Sequence, residues 1–291
     1  MFNSKNISIP AILLATTLGA SSGLYIKSLP FSGLGMTGFR MGVPFLFLLP
    51  MILKRKLLFG PADNRRMIWT GSLLNAIRMV LYILSYKLTT LTNAVVLLYT
   101  WPLFALLIHS IRSGKKLNFK ETGLLLTAFT GVITLNIHKG FSLNGSDMRG
   151  NLFMILSALI FSISTLIFKE ALVDHSEGEV LYFQNALGAV LFIPILLIEI
   201  PGMPLTSILT GIFYGFSVGI VGFGCFFIAL KRLPIFQYGA LGYMEVFTGV
   251  LFGILLLGEE IRWNILLGAS LILITSFLSR MIPQEVSTDK V

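Results

Sequence analysis

Charge is scarce in this sequence. Asp, Glu, Lys and Arg make up 12% of its 291 residues while 55% are hydrophobic, against about 25% charged in an ordinary soluble domain. Too few charged side chains remain to clothe a water-facing surface, so a soluble globular protein is excluded. Cysteine is nearly absent: the single Cys225, inside an apolar run, excludes an intrachain disulfide and a metal site built on cysteines. The three histidines, His109, His138 and His175, are scattered without metal-ligand spacing, so neither metal nor cofactor is expected. No P-loop signature occurs, and "GIVGFGC" (219–225) lacks the strand–turn–helix context a nucleotide loop requires. ATP is therefore not the expected direct energy source. An intramembrane enzyme is disfavoured by the lack of HExxH, clustered histidines or paired membrane aspartates.

Apolar stretches fill the space those absences leave. Ten are long enough to cross a hydrocarbon core as helices, at about 20 residues each: near 8–27, 33–53, 67–86, 91–111, 121–137, 150–168, 180–200, 206–229, 236–257 and 263–281. The expected fold is an all-α integral membrane protein of ten transmembrane helices, since helices satisfy their own backbone where no water reaches. The amino terminus superficially resembles a secretory signal, but equally apolar segments follow throughout and an uncleaved first span is expected. The net charge of +9 sits in short clusters between apolar runs rather than on a continuous basic face. It reads as a topology signal and not as a nucleic-acid surface. With the amino terminus in the cytoplasm, 15 basic residues fall inside and 5 outside, leaving Arg40 and Arg78 embedded, which accounts for all 22. Both termini are expected in the cytoplasm.

An offset of 144 residues lays "SYKLTTLTNAVVLLYTWPLF" (85–104) over "ALKRLPIFQYGALGYMEVFT" (229–248) without a gap, matching Lys87 to Lys231 and Tyr99 to Tyr243. This divides the chain into a first five-helix repeat, 1–145, and a second, 146–291. An odd number of spans per half makes the halves antiparallel, the inverted arrangement from which many secondary transporters build two mirror-related conformations.

Charges at mid-bilayer cost on the order of 3 kcal/mol and so mark cavities or partners. At about 1.5 Å per residue, Arg78 lies roughly 16 Å into the third span and Glu245 roughly 13 Å into the ninth, which enters from the same side. Asn75, Arg78, Tyr82 and Tyr86 form a helical stripe that should face inward. Arg40 corresponds at the same offset to Gln184, which neighbours Asn185; Tyr99 and Trp101 mirror Tyr243 and Glu245. The candidate substrate site is therefore Arg40, Asn75, Arg78, Tyr82, Tyr99, Trp101, Gln184, Asn185, Tyr243 and Glu245, with Glu245 also the candidate to bind a coupling proton. Against this stand a structural Arg78–Glu245 ion pair, snorkelling of Arg40 to the interface and ordinary interhelical packing. Glu199 and Lys27, at span ends, read as interfacial. Gly211, Gly215 and Gly219 form a small-xxx-small stripe expected to pack against another helix.

The segment "ALKRLPIFQYGALGYMEVFTGVLFGILLLGEEI" (229–261) resembles the end of the second repeat in the drug/metabolite transporter superfamily, EamA type. There an Ala-Leu, basic residue, Leu-Pro turn leads to an embedded Glu and an apolar run closed by Leu-Gly-Glu. The likeness in length and span count covers nearly the whole chain. Two departures stand out: the proline usual after that glutamate is Val246, and the first repeat carries Trp101-Pro102 where the second carries Glu245-Val246. Proline-assisted bending would then be lopsided.

A secondary transporter moving a small polar metabolite by alternating access is the leading expectation. Two embedded arginines suit a carboxylate or phosphate, and Glu245 with aromatic walls suits an amine. An amino acid or related carboxylate-bearing zwitterion meets both conditions. A carrier of an organic cation such as choline or a drug, a channel, and a non-transporting scaffold are the alternatives. The expected partners are the small-molecule substrate, the lipid bilayer, a coupling proton and a second copy of the chain. The resemblance implies a bacterial inner membrane.

Overall fold

The computed structural model describes residues 4–57, 65–114, 116–137, 145–257 and 262–282. Among them every regular element is helical. The first half contributes α1 (Ser4–Ser28), α2 (Gly33–Lys54), α3 (Arg65–Leu88), α4 (Leu91–Leu98), α5 (Trp101–Ser113) and α6 (Phe119–Asn136). The second contributes α7 (Gly145–Asp174), α8 (Glu177–Glu199), α9 (Leu205–Tyr214), a π-helical segment (Gly215–Gly222), α10 (Phe223–Arg232), α11 (Ile235–Gly242), α12 (Met244–Leu257) and α13 (Trp263–Ser279).

Among the described residues six stretches are long and apolar enough to cross a membrane: Gly33–Lys54, Arg65–Leu88, Asn93–Ser113, Asp147–Asp174, Glu177–Glu199 and Leu205–Arg232. Helix α1 and the shorter α6, α11 with α12, and α13 lie at the other four predicted span positions. Large apolar side chains such as Phe47, Ile111, Val190, Ile198 and Phe277 are exposed. That outward apolar surface matches hydrocarbon rather than water, and it completes the case for an integral membrane protein.

Helix ends are set by local chemistry. Ser32 starts α2 by accepting the Gly35 N–H at 3.0 Å, and Thr90 starts α4 by accepting that of Asn93 at 3.1 Å. Ser176 and Glu179 form a reciprocal capping box on α8. Gly114 ends α5 in the left-handed region, φ 65°, which a side chain would disfavour.

The predicted fourth and ninth spans are each broken, at residues related by the 144-residue offset. The first break falls at Tyr99-Thr100, between α4 and α5; the second falls at Tyr243, between α11 and α12. Pro102, at the start of α5, lacks the N–H that would continue α4. The second break has no proline, so proline accompanies the first break alone, as the sequence implies, yet both helices are interrupted. The α11 backbone is instead crowded onto the first break: a Cβ on Gly239 would lie 2.8 Å from the Pro102 Cβ, and one on Gly242 would lie 3.0 Å from the Trp101 ring. Glycines let the two broken helices cross at backbone distance.

Helix α2 lies along α8, and α3 packs on α7 and α8. The α2–α8 pair is tied at both ends. At one, Arg55 Nη1 meets Glu179 Oε1 at 2.6 Å. At the other, Ser32 donates its N–H to Glu199 Oε2 at 2.9 Å and its hydroxyl to Oε1 at 2.5 Å. Glu199, read from sequence as interfacial, thus closes the start of α2. The Arg55 end continues as a charged layer: Arg232 pairs with Glu177 at 3.0 Å, Arg112 with Glu170 at 2.8 Å, and Lys231 donates to the His175 carbonyl at 3.0 Å. Lys169 donates to the Leu230 and Leu233 carbonyls at 2.6 and 2.7 Å, capping α10. The glycine stripe packs as expected. A Cβ at Gly211 would strike the Phe39 ring, at Gly215 the Phe39 carbonyl, and at Gly219 the Pro44 ring, so the π-helical segment rides directly on the α2 backbone. Gly258 and Glu259 of the Leu-Gly-Glu closure, His138 and the Lys27 side chain lie outside what is described.

Candidate substrate site

Five helices bring the embedded polar residues together. Arg40 of α2 and Arg78 of α3 are 6% and 7% exposed, although neither sits near an end of its helix. Arg40 does not snorkel. Its guanidinium lies over the Phe223 ring at the start of α10, 3.9 Å from Cζ to centroid, and its Nη1 is buried with no hydrogen-bond partner. Arg78 stacks on Phe161 of α7 at 4.4 Å. Its Nε donates to Asn75 Oδ1 at 3.3 Å and its Nη2 lies 3.3 Å from the Met79 sulfur. Asn75 in turn donates to the Gln184 carbonyl at 3.0 Å, so one amide both orients Arg78 and anchors α3 to α8.

Glu245 occupies the first turn of α12, immediately after the second break. A carboxylate there is favoured by the N–H groups and dipole of a helix start. The Tyr99 hydroxyl, from the first break, hydrogen-bonds to it. Both guanidinium groups lie within Coulombic reach of this carboxylate, yet the ion pairs within 4.0 Å among the described residues include neither arginine and not Glu245. The structural Arg78–Glu245 ion pair that the sequence left open is not formed. The Gly19 backbone of α1 is pressed against the carboxylate, where a Cβ would come within 2.7 Å of Oε1.

The remaining predicted residues divide. Tyr82 meets Tyr86 hydroxyl to hydroxyl at 3.4 Å, with ring centroids 4.7 Å apart. Tyr99 and Tyr243 lie 6.0 Å apart, and the Tyr243 hydroxyl is buried without a partner. Gln184 is buried with Oε1 unpartnered. Trp101 stands behind the cluster, edge-on to Phe161 at 5.0 Å and to Tyr238 at 5.7 Å. Asn185 donates to the Leu181 carbonyl of its own helix at 2.7 Å and is thereby occupied. Sequence reasoning missed Phe161, Phe223, Tyr238 and Gly19. Among the described residues no group of three or more His, Cys, Asp or Glu is placed to hold a metal. Chemically, two ring-backed guanidinium groups suit acid groups, and a carboxylate beside aromatic rings suits an amine.

An all-helical membrane protein with paired broken helices and ionisable groups beside the breaks is the architecture of a secondary transporter. The EamA-like transporter family model matches this chain twice, over residues 6–137 and 148–281, and the chain belongs to that family of the drug/metabolite transporter superfamily. Among its relatives is an uncharacterized transporter of Archaeoglobus fulgidus, 25% identical over 263 residues, 90% of this chain and 92% of that one. The uncharacterized transporter YcxC of Bacillus subtilis is 23% identical over 60% of this chain and 59% of its own length. The pseudopaline exporter CntI of Pseudomonas aeruginosa is 30% identical over 115 residues, 38% of this chain and 39% of that one. The chain thus matches about three-fifths of the length of YcxC and about two-fifths of that of CntI. A solved crystal structure shares the fold, with a TM-score of 0.76 at 18% identity, over 96% of this chain and 99% of the other.

Proposed function

We propose that this transporter carries a small organic metabolite bearing an acid group and an amine, an amino acid or a related zwitterion, by alternating access between two inverted five-helix halves, residues 1–145 and 146–291. The observation that carries the reading is the unpaired state of the embedded charges. Arg40 and Arg78 are buried without a carboxylate within ion-pair distance, and a buried charge without a partner costs several kcal/mol. A ligand acid group supplies that partner. Glu245, reached by Tyr99, takes the amine, or a proton when the ligand is absent.

Supporting the repeat are the double family match and the helix breaks 144 residues apart. Supporting cytoplasmic termini in a bacterial inner membrane are the basic residues gathered at the Arg55 end of the bundle, with Arg112, Lys169, Lys231 and Arg232. With no P-loop in the sequence, an ion gradient or exchange supplies the energy. A carrier of organic amines is the second reading, favoured by Glu245 among tyrosines. It is weakened because the Phe161 and Phe223 faces are already covered by the protein's own guanidinium groups.

The test is thermal stabilisation of purified protein by amino acids, carboxylates, phosphates, amines and nucleosides, since a ligand of the folded state raises stability by mass action. Stabilisation by acid-bearing compounds that disappears in Arg78→Ala supports the reading. Stabilisation by amines alone, kept in Arg78→Ala and lost in Glu245→Gln, overturns it in favour of the amine carrier.

A further inference from the structure

We infer that the ligand of this site carries two acid groups and one amine, with one acid group for each of Arg40 and Arg78 and the amine for Glu245. The inference rests on the transporter reading above and narrows its substrate class.

The two guanidinium groups are separate anchors. They come from different helices and each is pinned by a different ring, Arg40 on Phe223 of α10 and Arg78 on Phe161 of α7. Each also has unspent hydrogen-bonding capacity. Arg40 Nη1 is buried and bonded to nothing. Arg78 is held at Nε by Asn75 and at Nη2 by the Met79 sulfur, which leaves its remaining nitrogen, Nη1, for a ligand. Guanidinium stays charged at any physiological pH. Each cation lies in the other's field, and both lie in that of Glu245.

Charge balance selects among ligand types. With Glu245 ionised, the state that receives an ammonium, two cations and one carboxylate give the cluster one net positive charge. A simple zwitterion is neutral and leaves that charge uncompensated. A monocarboxylate neutralises the sum but pairs one guanidinium only and brings no donor to Glu245. A dicarboxylate without an amine overshoots and sets a ligand acid against Glu245. Two acid groups with one ammonium carry a net charge of minus one and give every charged side chain an opposite partner, the condition under which buried charges are retained.

The experiment measures binding to the purified full-length protein of aspartate, glutamate and 2-aminoadipate, each against its ω-amide, with glutarate and primary amines alongside. In the unmodified protein at least one of the three acids should bind roughly tenfold or more tighter than its amide, and tighter than glutarate. In Arg40→Gln that acid-to-amide ratio should fall towards one, and in Arg40→Lys, which keeps the charge, most of it should return. Amides binding as well as their acids in the unmodified protein overturn the inference and leave the transporter of zwitterions standing. Binding of amines alone, or of no compound tested, overturns both.

Discussion

The rings of Tyr99 and Tyr243 stand 6.0 Å apart, 144 residues apart in sequence, each at the point where a helix of its half of the chain breaks. Their hydroxyls differ: that of Tyr99 reaches the Glu245 carboxylate, whereas that of Tyr243 is buried with no partner. The same residue at equivalent positions therefore does different work. Tyr243→Phe should leave stability unchanged or slightly raised, because an unsatisfied buried hydroxyl contributes only its desolvation cost. Tyr99→Phe should cost about 0.5–1.5 kcal/mol, the range of an ordinary hydrogen bond. Unfolding of both variants in detergent, followed by tryptophan fluorescence, separates the two; equal effects would contradict the assignment.

The glycine stripe makes a second contrast. A Cβ at Gly215 would collide with the Phe39 carbonyl and the Val43 side chain, whereas at Gly224, nine residues on, it would meet nothing within 4 Å. Backbone cannot step aside as a side-chain end can. Gly215→Ala should destabilise by roughly 1–3 kcal/mol, the usual cost of overpacking, and Gly224→Ala should be neutral or mildly stabilising. The same unfolding measurement checks the pair.

Much of this architecture was legible because a bilayer leaves few options. Apolar runs must be helices, whereas the caps at Ser32, Thr90 and Ser176 that set their starts emerge from the structure. Arg40, Arg78 and Glu245 were legible as site candidates for a similar reason: charge in an apolar helix is conspicuous. Phe161 and Phe223 were not, because one phenylalanine among 24 carries no local sign that a guanidinium lies over it. Asn185 and Trp101 stand differently from the arginines. Asn185 donates to the Leu181 carbonyl of its own helix, and Trp101 lies edge-on to Phe161. The second helix break was hidden as well, since no local breaker such as proline marks it; Gly239 and Gly242 lie against Pro102 and Trp101 there.

The Arg55–Glu179 contact tests the charged layer. Arg55 is half exposed, with 51% of its side-chain surface accessible, while Glu179 is at 8% and also belongs to the capping box of α8. Arg55→Ala should cost less than about 1 kcal/mol, as partly exposed pairs do, and the difference should vanish near 1 M salt, where screening acts over about 3 Å. Glu179→Ala removes the cap as well and should cost about 1–2 kcal/mol, a loss that salt does not abolish. A salt titration of unfolding midpoints distinguishes a pair that stabilises by charge from a residue that stabilises by capping.

Gly19 isolates the site from the fold. The Cβ of Gly19→Ala would come within 2.7 Å of Glu245 Oε1 and 2.8 Å of its Cδ, a collision as close as that of Gly219 with Pro44. What it meets, however, is the far end of a flexible side chain, which can rotate away. The cost should therefore fall on the position of the carboxylate and not on helix packing. Gly19→Ala should unfold within about 0.5 kcal/mol of the unmodified protein, as substitutions without a packing penalty do. Its binding of amine-bearing ligands should weaken roughly tenfold, equivalent to about 1.4 kcal/mol, while glutarate, which makes no use of Glu245, should bind no worse. Calorimetry on Gly19→Ala with glutamate and glutarate reads both effects. A matched loss for the two ligands, or a large loss of stability, would show that Gly19 is needed for packing α1 against α12 rather than for leaving Glu245 room to meet the ligand.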